Sequence, residues 1–420
     1  MDTLMDKPAK HYDIVVVGAG LVGSAFALQM ARNLSSGVGK GRIALLDAGK
    51  PELHAPLPDT AEGDVFDPQV VALTEDSRQW LEALNAWQAC EERACPYTRM
   101  LVRDTEGTGC IEFDAAEVQQ DNLGQVLENN VLRNSLLREV AAQDNIDVYC
   151  PVDVQLFQRD GENVIVGLPG AENLSASLLV GADGAKSRVR EEMGFEVRSW
   201  DYQHTALTAT LTVEKGHDSV ARQWFKPTGP LAFLPLRASG EQRPDSDKHV
   251  SIVWSQTPEE AERLMGMDDA EFCRALTVSS EGALGEIQAS SKRFSFPLMQ
   301  RHAVDYIQAG IALIGDAAHT VHPLAGQGVN LGFSDARVLA VELKRALDQG
   351  LSLGGLKALR RYQRRRKLDN LTMMATMEGF KRLFERDELA VRLLRNIGMS
   401  SFNRLSLLKN TLIRQTMGIA

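Results

Sequence analysis

The stretch that decides the fold is Asp13-Ile14-Val15-Val16-Val17-Gly18-Ala19-Gly20-Leu21-Val22-Gly23, near the start of a 420-residue chain. Its first part is a β-branched run of the kind buried in a parallel sheet. A G-x-G-x-x-G turn follows and opens onto a helical stretch, Ser24 to Asn33. Each glycine has its own reason to be there. Gly18 permits the tight turn, and Gly20 lets the backbone approach a pyrophosphate. Gly23 lets the helix pack closely on the strand while its N-terminal N–H groups face the phosphate. A second apolar strand, Arg42 to Leu46, ends in Asp47, 24 residues after Gly23. An acid there can accept both hydroxyls of an adenosine ribose. The pattern predicts a bound dinucleotide without separating NAD from FAD.

Two further blocks choose between them. Ile311-Ala312-Leu313-Ile314-Gly315-Asp316-Ala317-Ala318-His319 is again an apolar strand closing on Gly-Asp, and it runs on through Pro323, Gly326, Gln327 and Gly328 to a helix from about Phe333. Two nucleotide-type loops so far apart in sequence are best spanned by one long ligand, and FAD is long enough. Asp316 can hold a ribitol hydroxyl. The Gly326-Gln327-Gly328 loop would bring backbone N–H groups and a helix N-terminus to the flavin edge where negative charge develops on reduction. Between the two blocks, Leu178-Leu179-Val180-Gly181-Ala182-Asp183-Gly184 is another strand closing on Asp-Gly.

The composition sets the bounds. At this length two or three domains are expected, and 44% hydrophobic with 24% charged residues is ordinary for a globular protein, which excludes a disordered or collagen-like chain. A net charge of −10 argues against a nucleic-acid partner, yet it hides a split: Leu351 to Ala420 holds 15 Lys/Arg against 5 Asp/Glu. The chain is an acidic body with a basic tail. Cys90, Cys95, Cys110, Cys150 and Cys273 form no C-x-x-C pair, which fits a reducing cytosol and small buried side chains. The polar N-terminus does not read as a secretory signal. Ile14 to Ala31 lacks charge over 18 residues, the lower limit for a membrane span, but its glycines make it strand, turn and helix.

The combination of G-x-G-x-x-G, "GADGAKSRVR" and "IGDAAHTVHPLAGQGVNLG" resembles the single-component FAD-dependent aromatic hydroxylases, the p-hydroxybenzoate hydroxylase-like monooxygenases. The strings "WDYQHTALTATL", "ARQWFKPTGPLAFLPL", "FPLMQRHA" and "HPLAGQGVNLGFSDA" resemble the ubiquinone-biosynthesis ring hydroxylases, most of all the 2-polyprenylphenol (2-octaprenylphenol) C5-hydroxylase branch. The resemblance implies that Gly18, Gly20, Gly23 and Asp47 bind the ADP part of FAD. It places Asp183 and Gly184 at the pyrophosphate, Gly315 and Asp316 at the ribitol, and Pro323 with Gly326 to Gly328 along the isoalloxazine. Asn129 falls where a polar flavin contact is expected, although a helix N-cap explains it equally well. In one place the chain departs from the family, which often has an Arg holding the flavin where Gln69 stands here. Either Arg78 substitutes from the next helix or that anchor is weaker.

The fold class expected is α/β, with a discontinuous Rossmann-type FAD-binding domain, an inserted β-sheet substrate domain and a helical C-terminal region. The parts are 1–190 (with a small β insert at about 60–100), 195–292 for the substrate sheet, 295–350 for the rest of the FAD domain, and 351–420. Reduced flavin and O2 would supply an electrophilic oxygen, with NAD(P)H or another reductant as electron donor, and the protein would exclude water and hold the ring. Phe225, Phe233, Pro235 and Trp254 are candidates to line the ring pocket, each with ordinary core as its plainer explanation. His204, His319 and His322 are the candidate bases, and no metal-binding spacing is present. In the tail, Met373, Met377, Phe380 and Phe384 share one helix face and Leu405, Leu408 and Leu412 another. That region either packs on the body or docks the membrane surface or other ubiquinone-synthesis proteins. The expected enzyme is cytoplasmic or peripheral to the inner membrane and acts on a lipophilic polyprenylphenol, with a homo-oligomer as one open arrangement. Hydroxylation at another ring position, a soluble-phenol hydroxylase and a flavin-stabilised assembly subunit are the alternatives.

Overall fold

A computed structural model describes residues 9–35, 41–49, 66–170, 173–238, 246–320 and 328–384, together with Asn403, Lys409 and Asn410. Strand β1 (Ala9–Val17) buries Ile14, Val15 and Val16 completely and turns directly into α1 (Leu21–Ser35). Strand β2 (Ile43–Leu46) then returns parallel to β1, pairing Ile14 with Ile43. The uncharged stretch is therefore strand, turn and helix, and no described helix is long and apolar enough to cross a membrane.

The chain next forms β3 (Val70–Leu73) and α2 (Glu75–Ala83), the latter capped by the Thr74 hydroxyl accepting from Ser77 N–H. A run of short strands follows: β4 (Cys95–Tyr97), β5 (Arg99–Asp104), β6 (Cys110–Asp114) and β7 (Gly124–Glu128). Helix α3 (Asn129–Ala141) leads to β8 (Ile146–Tyr149), then β9 (Leu156–Asp160), β10 (Asn163–Gly167) and β11 (Asn173–Gly181). A short α4 (Arg188–Glu192) precedes the long β12 (Val197–Val213), β13 (Val220–Phe225), β14 (Leu231–Leu236) and β15 (His249–Gln256). Two helices, α5 (Pro258–Met265) and α6 (Asp269–Ser279), separate these from β16 (Ile287–Ser290) and β17 (Phe294–Ala303). The chain closes with β18 (Ile307–Gln308), β19 (Ile311–Leu313), β20 (His319–Thr320), α7 (Gly328–Asp348) and α8 (Leu356–Phe384).

Three sheets result. An eight-stranded sheet runs β18-β19-β11-β1-β2-β8, with β10 and β9 branching from β11. Its central strands are parallel and buried on both faces, α1 lying against α3 and α7 on one side. A nine-stranded sheet runs β20-β17-β12-β15-β14-β13-β5-β6, with β16 on β12. A three-stranded sheet, β3-β7-β4, sits between the two.

The boundaries differ from those expected at two places. Residues 100–114 were assigned to the FAD domain, but β5 pairs in parallel with β13, Val220 opposite Arg99, and carries β6 into the large sheet. Strand β17 was also placed with the FAD domain, yet it lies along β12 over most of its length. Strand pairing follows backbone reach rather than chain neighbourhood, so composition alone does not reveal it. All five cysteines are free thiols; Cys90, Cys95 and Cys273 are buried, and burial pushes Cys90 and Cys95 up to about 12.

Candidate active site

The three glycines of the first turn occupy three different environments. Gly18 has φ +110°, and a side-chain carbon there would sit 2.2 Å from the Ala182 carbonyl oxygen. At Gly23 it would meet the Gly18 carbonyl oxygen at 1.9 Å, so this glycine lets α1 press onto the turn. At Gly20 it would meet nothing within 4 Å. Two of the glycines are forced by protein packing, whereas Gly20 leaves its backbone open on the side where a phosphate would approach. Beside them the Asp47 carboxylate accepts Ala19 N–H and Gly49 N–H, each at 2.7 Å. These two bonds fix its orientation and leave lone pairs on both oxygens for further donors.

Helix α3 contributes from the other side of Asp47. Arg133 brings a guanidinium nitrogen close to Gly49, and its Nε and the Oδ1 of Asn130 are buried without a protein partner. A phosphate or an adenosine edge would satisfy such atoms, and sequence reasoning missed both residues because Arg and Asn are ordinary in a helix. Asn129 is the first residue of α3 and not its cap; its amide donates to Gln69 Oε1 at 3.1 Å. The residue that departs from the family pattern is thus joined to the proposed flavin contact. The Arg78 guanidinium is bonded to Glu75 and Glu82 on its own helix. Next to Asn129, Glu128 is buried against Arg93 with an N–O distance of 2.6 Å. Burial raises its carboxyl, and Arg93 opposes that rise.

The Asp-Gly and Gly-Asp loops meet at the ends of β11 and β19. Asp183 takes Ser187 Oγ–H at 2.5 Å and Arg188 N–H at 2.7 Å, so its carboxylate folds the loop back onto α4. Gly184, with φ +78°, has open space where a side chain would be. Arg190 ties the two loops together, donating to Ala185 O at 2.7 Å and to Ala317 O at 2.9 Å. Asp316 is reached by solvent although protein surrounds it on most sides, the situation of a group on a cleft wall. That surrounding protein raises its carboxyl, with His319 and Arg190 pulling the other way. Gly315 adopts φ +59° against Val22 of α1, and Gly332 of α7 packs beside it on the same valine.

His319 is fully buried, with Nε2 2.6 Å from Asp335 Oδ2, and this places it inside the loop's support rather than on the cleft. His322, Pro323, Gly326 and Gln327 lie outside the described residues, while Gly328 opens α7. Two residues later Asn330, also unflagged by the sequence, donates to Ala72 O and accepts from Thr74 N–H, pinning α7 to the end of β3.

The large sheet corrects part of the expected ring pocket. Phe233 and Trp254 pack with Leu207, Ile252, Leu264 and Phe272, under α5 and α6 and away from the nucleotide-binding body. Pro235 pairs with Val250 and shares that face. Side chains alternate along a strand, and hydrophobicity announced burial without saying on which face. The opposite face meets the body where Leu234 and Leu236 pack on Phe66 and Val126. It carries Phe225 near one end, then Ala232, Val253, Thr208 and Ala206, and finally Phe294 and Phe296 on β17. His204 is half-buried on this face, its Nδ1 3.1 Å from Ser255 Oγ.

For α8, the described helix of the basic tail, the packing alternative is the one seen. Helix α8 packs along α7, and the Tyr362 hydroxyl donates to Leu313 O of β19 at 2.7 Å. Arg366 is buried, bonded to Asp335 at 2.7 Å, while buried Glu342 takes Arg345 at 2.8 Å and Arg365 at 3.0 Å. Met373 is half-buried; the side chains of Met377, Phe380 and Phe384, and Leu405, Leu408 and Leu412, lie outside the described residues. Further on, Lys409 is bonded to Glu117 at 2.7 Å beside β6.

A Rossmann-type sheet with an open-backed glycine turn, facing a broad antiparallel sheet, is the architecture of FAD-dependent monooxygenases. Residues 11–372 match the family model described as FAD binding domain, and the chain belongs to that family. It is 33% identical over 408 residues to 3-demethoxyubiquinol 3-hydroxylase of Escherichia coli (strain K12), covering 97% of this chain and 98% of the relative. It is 32% identical to the mitochondrial ubiquinone biosynthesis monooxygenase COQ6 of Homo sapiens, covering 96% and 92%. The chain is thus a FAD-dependent monooxygenase of the ubiquinone-biosynthesis hydroxylase type. Among solved structures, a probable FAD-dependent monooxygenase from Pseudomonas aeruginosa matches with a TM-score of 0.76 at 21% identity, covering 93% of this chain and all of that one. p-Nitrophenol 4-monooxygenase from Pseudomonas putida gives 0.74 at 18%, covering 97% and 98%. At such identities the likeness concerns the fold.

Proposed function

We propose that this enzyme adds a hydroxyl group to the ring of a polyprenylated phenol on the route to ubiquinone, at C5 of a 2-polyprenylphenol. The observation that carries the pathway is the end-to-end identity to a hydroxylase named for a ubiquinol precursor. The C5 position rests on the sequence strings, and the relatives' names include a different ring position.

FAD fits the residues present. Gly20 offers an open backbone, Asp47 a fixed acceptor, and Arg133 a buried donor without a protein partner. Gly184 and Asp316 continue the same line toward the large sheet. Bound there and reduced by NAD(P)H or another reductant, FAD would supply the O2-activating chemistry by which one oxygen atom of O2 enters the ring and the other leaves as water. This chain's residues hold the ring and exclude water. Ala206, Thr208, Ala232 and Val253 form the wall opposite the cofactor loops, and His204 is the histidine on that wall suited to take a phenolic proton. No step is assigned to His319, whose ring is committed to Asp335.

Deletion of the gene, followed by mass analysis of the accumulated prenylated phenols, tests both parts. A 2-polyprenylphenol lacking the C5 oxygen is expected. A more oxidised precursor would move the enzyme to a later ring position, and unchanged ubiquinone would remove it from the route.

A further inference from the structure

Asp335 lies in the middle of α7, is fully buried, and divides its carboxylate between two parts of the molecule. Oδ2 accepts Gly315 N–H at 3.1 Å and faces His319 Nε2 at 2.6 Å, so this oxygen holds the Gly-Asp turn. Oδ1 accepts Arg366 Nε–H at 2.7 Å and Asn370 Nδ2–H at 3.2 Å, so this one is held by α8. Arg366 also donates to Leu331 O, in the first turn of α7, at 3.3 Å. No water is needed to complete the set: an ionised carboxylate has four acceptor sites, and four donors occupy them. Burial opposes ionisation of Asp335, but His319 and Arg366 outweigh it and hold the carboxyl below its usual range.

We propose that Arg366 is a positioning residue for the flavin: through Asp335 it sets the Gly315–Asp316 turn and the start of α7, so the C-terminal helix α8 is part of the cofactor site. Without Arg366 the buried carboxylate would lose its arginine and keep on the α8 side only the neutral amide of Asn370. It would then either take up a proton or draw His319 and Gly315 toward itself, and in both cases the turn loses its fixed position. The neighbouring Arg364 is exposed on the outer side of the same helix and takes no part. The inference rests on reading Gly315–Asp316 as a flavin contact, a reading that has its own control.

The experiment strips FAD from the full-length protein and titrates it back, following the quenching of flavin fluorescence. Arg366→Met is expected to raise the FAD dissociation constant about tenfold, the equivalent of one charge-assisted hydrogen bond. Arg366→Lys should give a smaller rise, because it keeps the charge but loses the fork geometry, and Arg364→Met should leave the constant unchanged. Thermal midpoints with and without FAD separate positioning from folding, because the FAD-induced rise shrinks only when affinity falls. If Arg366→Met lowers both midpoints equally with an unchanged dissociation constant, Arg366 is a packing residue and the proposal is wrong. Should that variant not fold, an unchanged constant in Arg366→Lys overturns it. Asp316→Ala tests the underlying reading separately: full FAD affinity there would remove the turn from the cofactor site whatever Arg366 does.

Discussion

Gly18 and Gly20 are two positions apart and chemically identical, yet the same substitution should act on them in opposite ways. At Gly18 alanine meets both an unfavourable φ and the Ala182 carbonyl oxygen at 2.2 Å, a combination of strain and overlap that costs about 2 kcal/mol or more. Gly18→Ala is therefore expected to lower the thermal midpoint even of FAD-free protein. Gly20→Ala has room, so FAD-free stability should stay within about 0.5 kcal/mol while FAD affinity falls. Calorimetry beside a fluorescence titration checks both, and equal losses of stability would refute the division. The motif's spacing gave the two glycines different roles, but the Ala182 carbonyl that crowds Gly18 comes from the end of β11, far away in the chain, and was not legible there. Asp335 and Arg366 were not legible either. They are 31 residues apart on two different helices, and nothing in the local sequence of either marks it as buried or paired.

At the scale of an element, the large sheet shows what periodicity tells and what it omits. The segment 195–292 was expected to form the substrate sheet, and Phe233 and Trp254 were candidates for its ring pocket, with ordinary core as the plainer explanation. Their size indicated burial correctly and their face wrongly, since the choice did not follow the alternation from strand to strand. Phe233→Ala or Trp254→Ala is accordingly expected to cost about 3–5 kcal/mol of stability through the cavity left under α5 and α6. Phe296 is 38% exposed on the other face. Phe296→Ala should leave the unfolding midpoint nearly unchanged and raise KM for the prenylated phenol. Denaturant melts paired with steady-state kinetics distinguish these outcomes; a KM effect at Phe233 without loss of stability would return that residue to the pocket.

For the whole molecule, the separation into acidic body and basic tail describes the sequence better than the structure. Arg345, Arg361, Arg365 and Arg366 converge on Glu342 and Asp335, two acids that are almost wholly buried in α7. Among these, Arg361, Arg365 and Arg366 of α8 join that helix to the body, Arg366 from a buried position, so for this helix the packing alternative is the one seen. Ending the chain after Gly355 removes Arg366 and Tyr362 together, leaving Asp335 without its arginine and Glu342 with Arg345 alone. Such a truncation is expected to yield aggregated, flavin-free protein, as judged by size exclusion and absorbance at the flavin band. A soluble yellow product would show that α8 is dispensable.

The strand order of the nucleotide-binding sheet also constrains when that sheet can exist. Strand β1 is made first but pairs with β11, which in turn pairs with β19, about 300 residues further along. At ribosomal rates of about 5–20 residues per second, that delay is on the order of 15–60 seconds. Strand β2 joins β1 early, but β11 follows only later and its other edge waits for β19, so an open, apolar sheet edge must meanwhile be kept from wrong partners. On the proposed reading of the Gly315–Asp316 turn, the flavin site is complete only once β19 and α7 have been made, which places cofactor loading late in maturation.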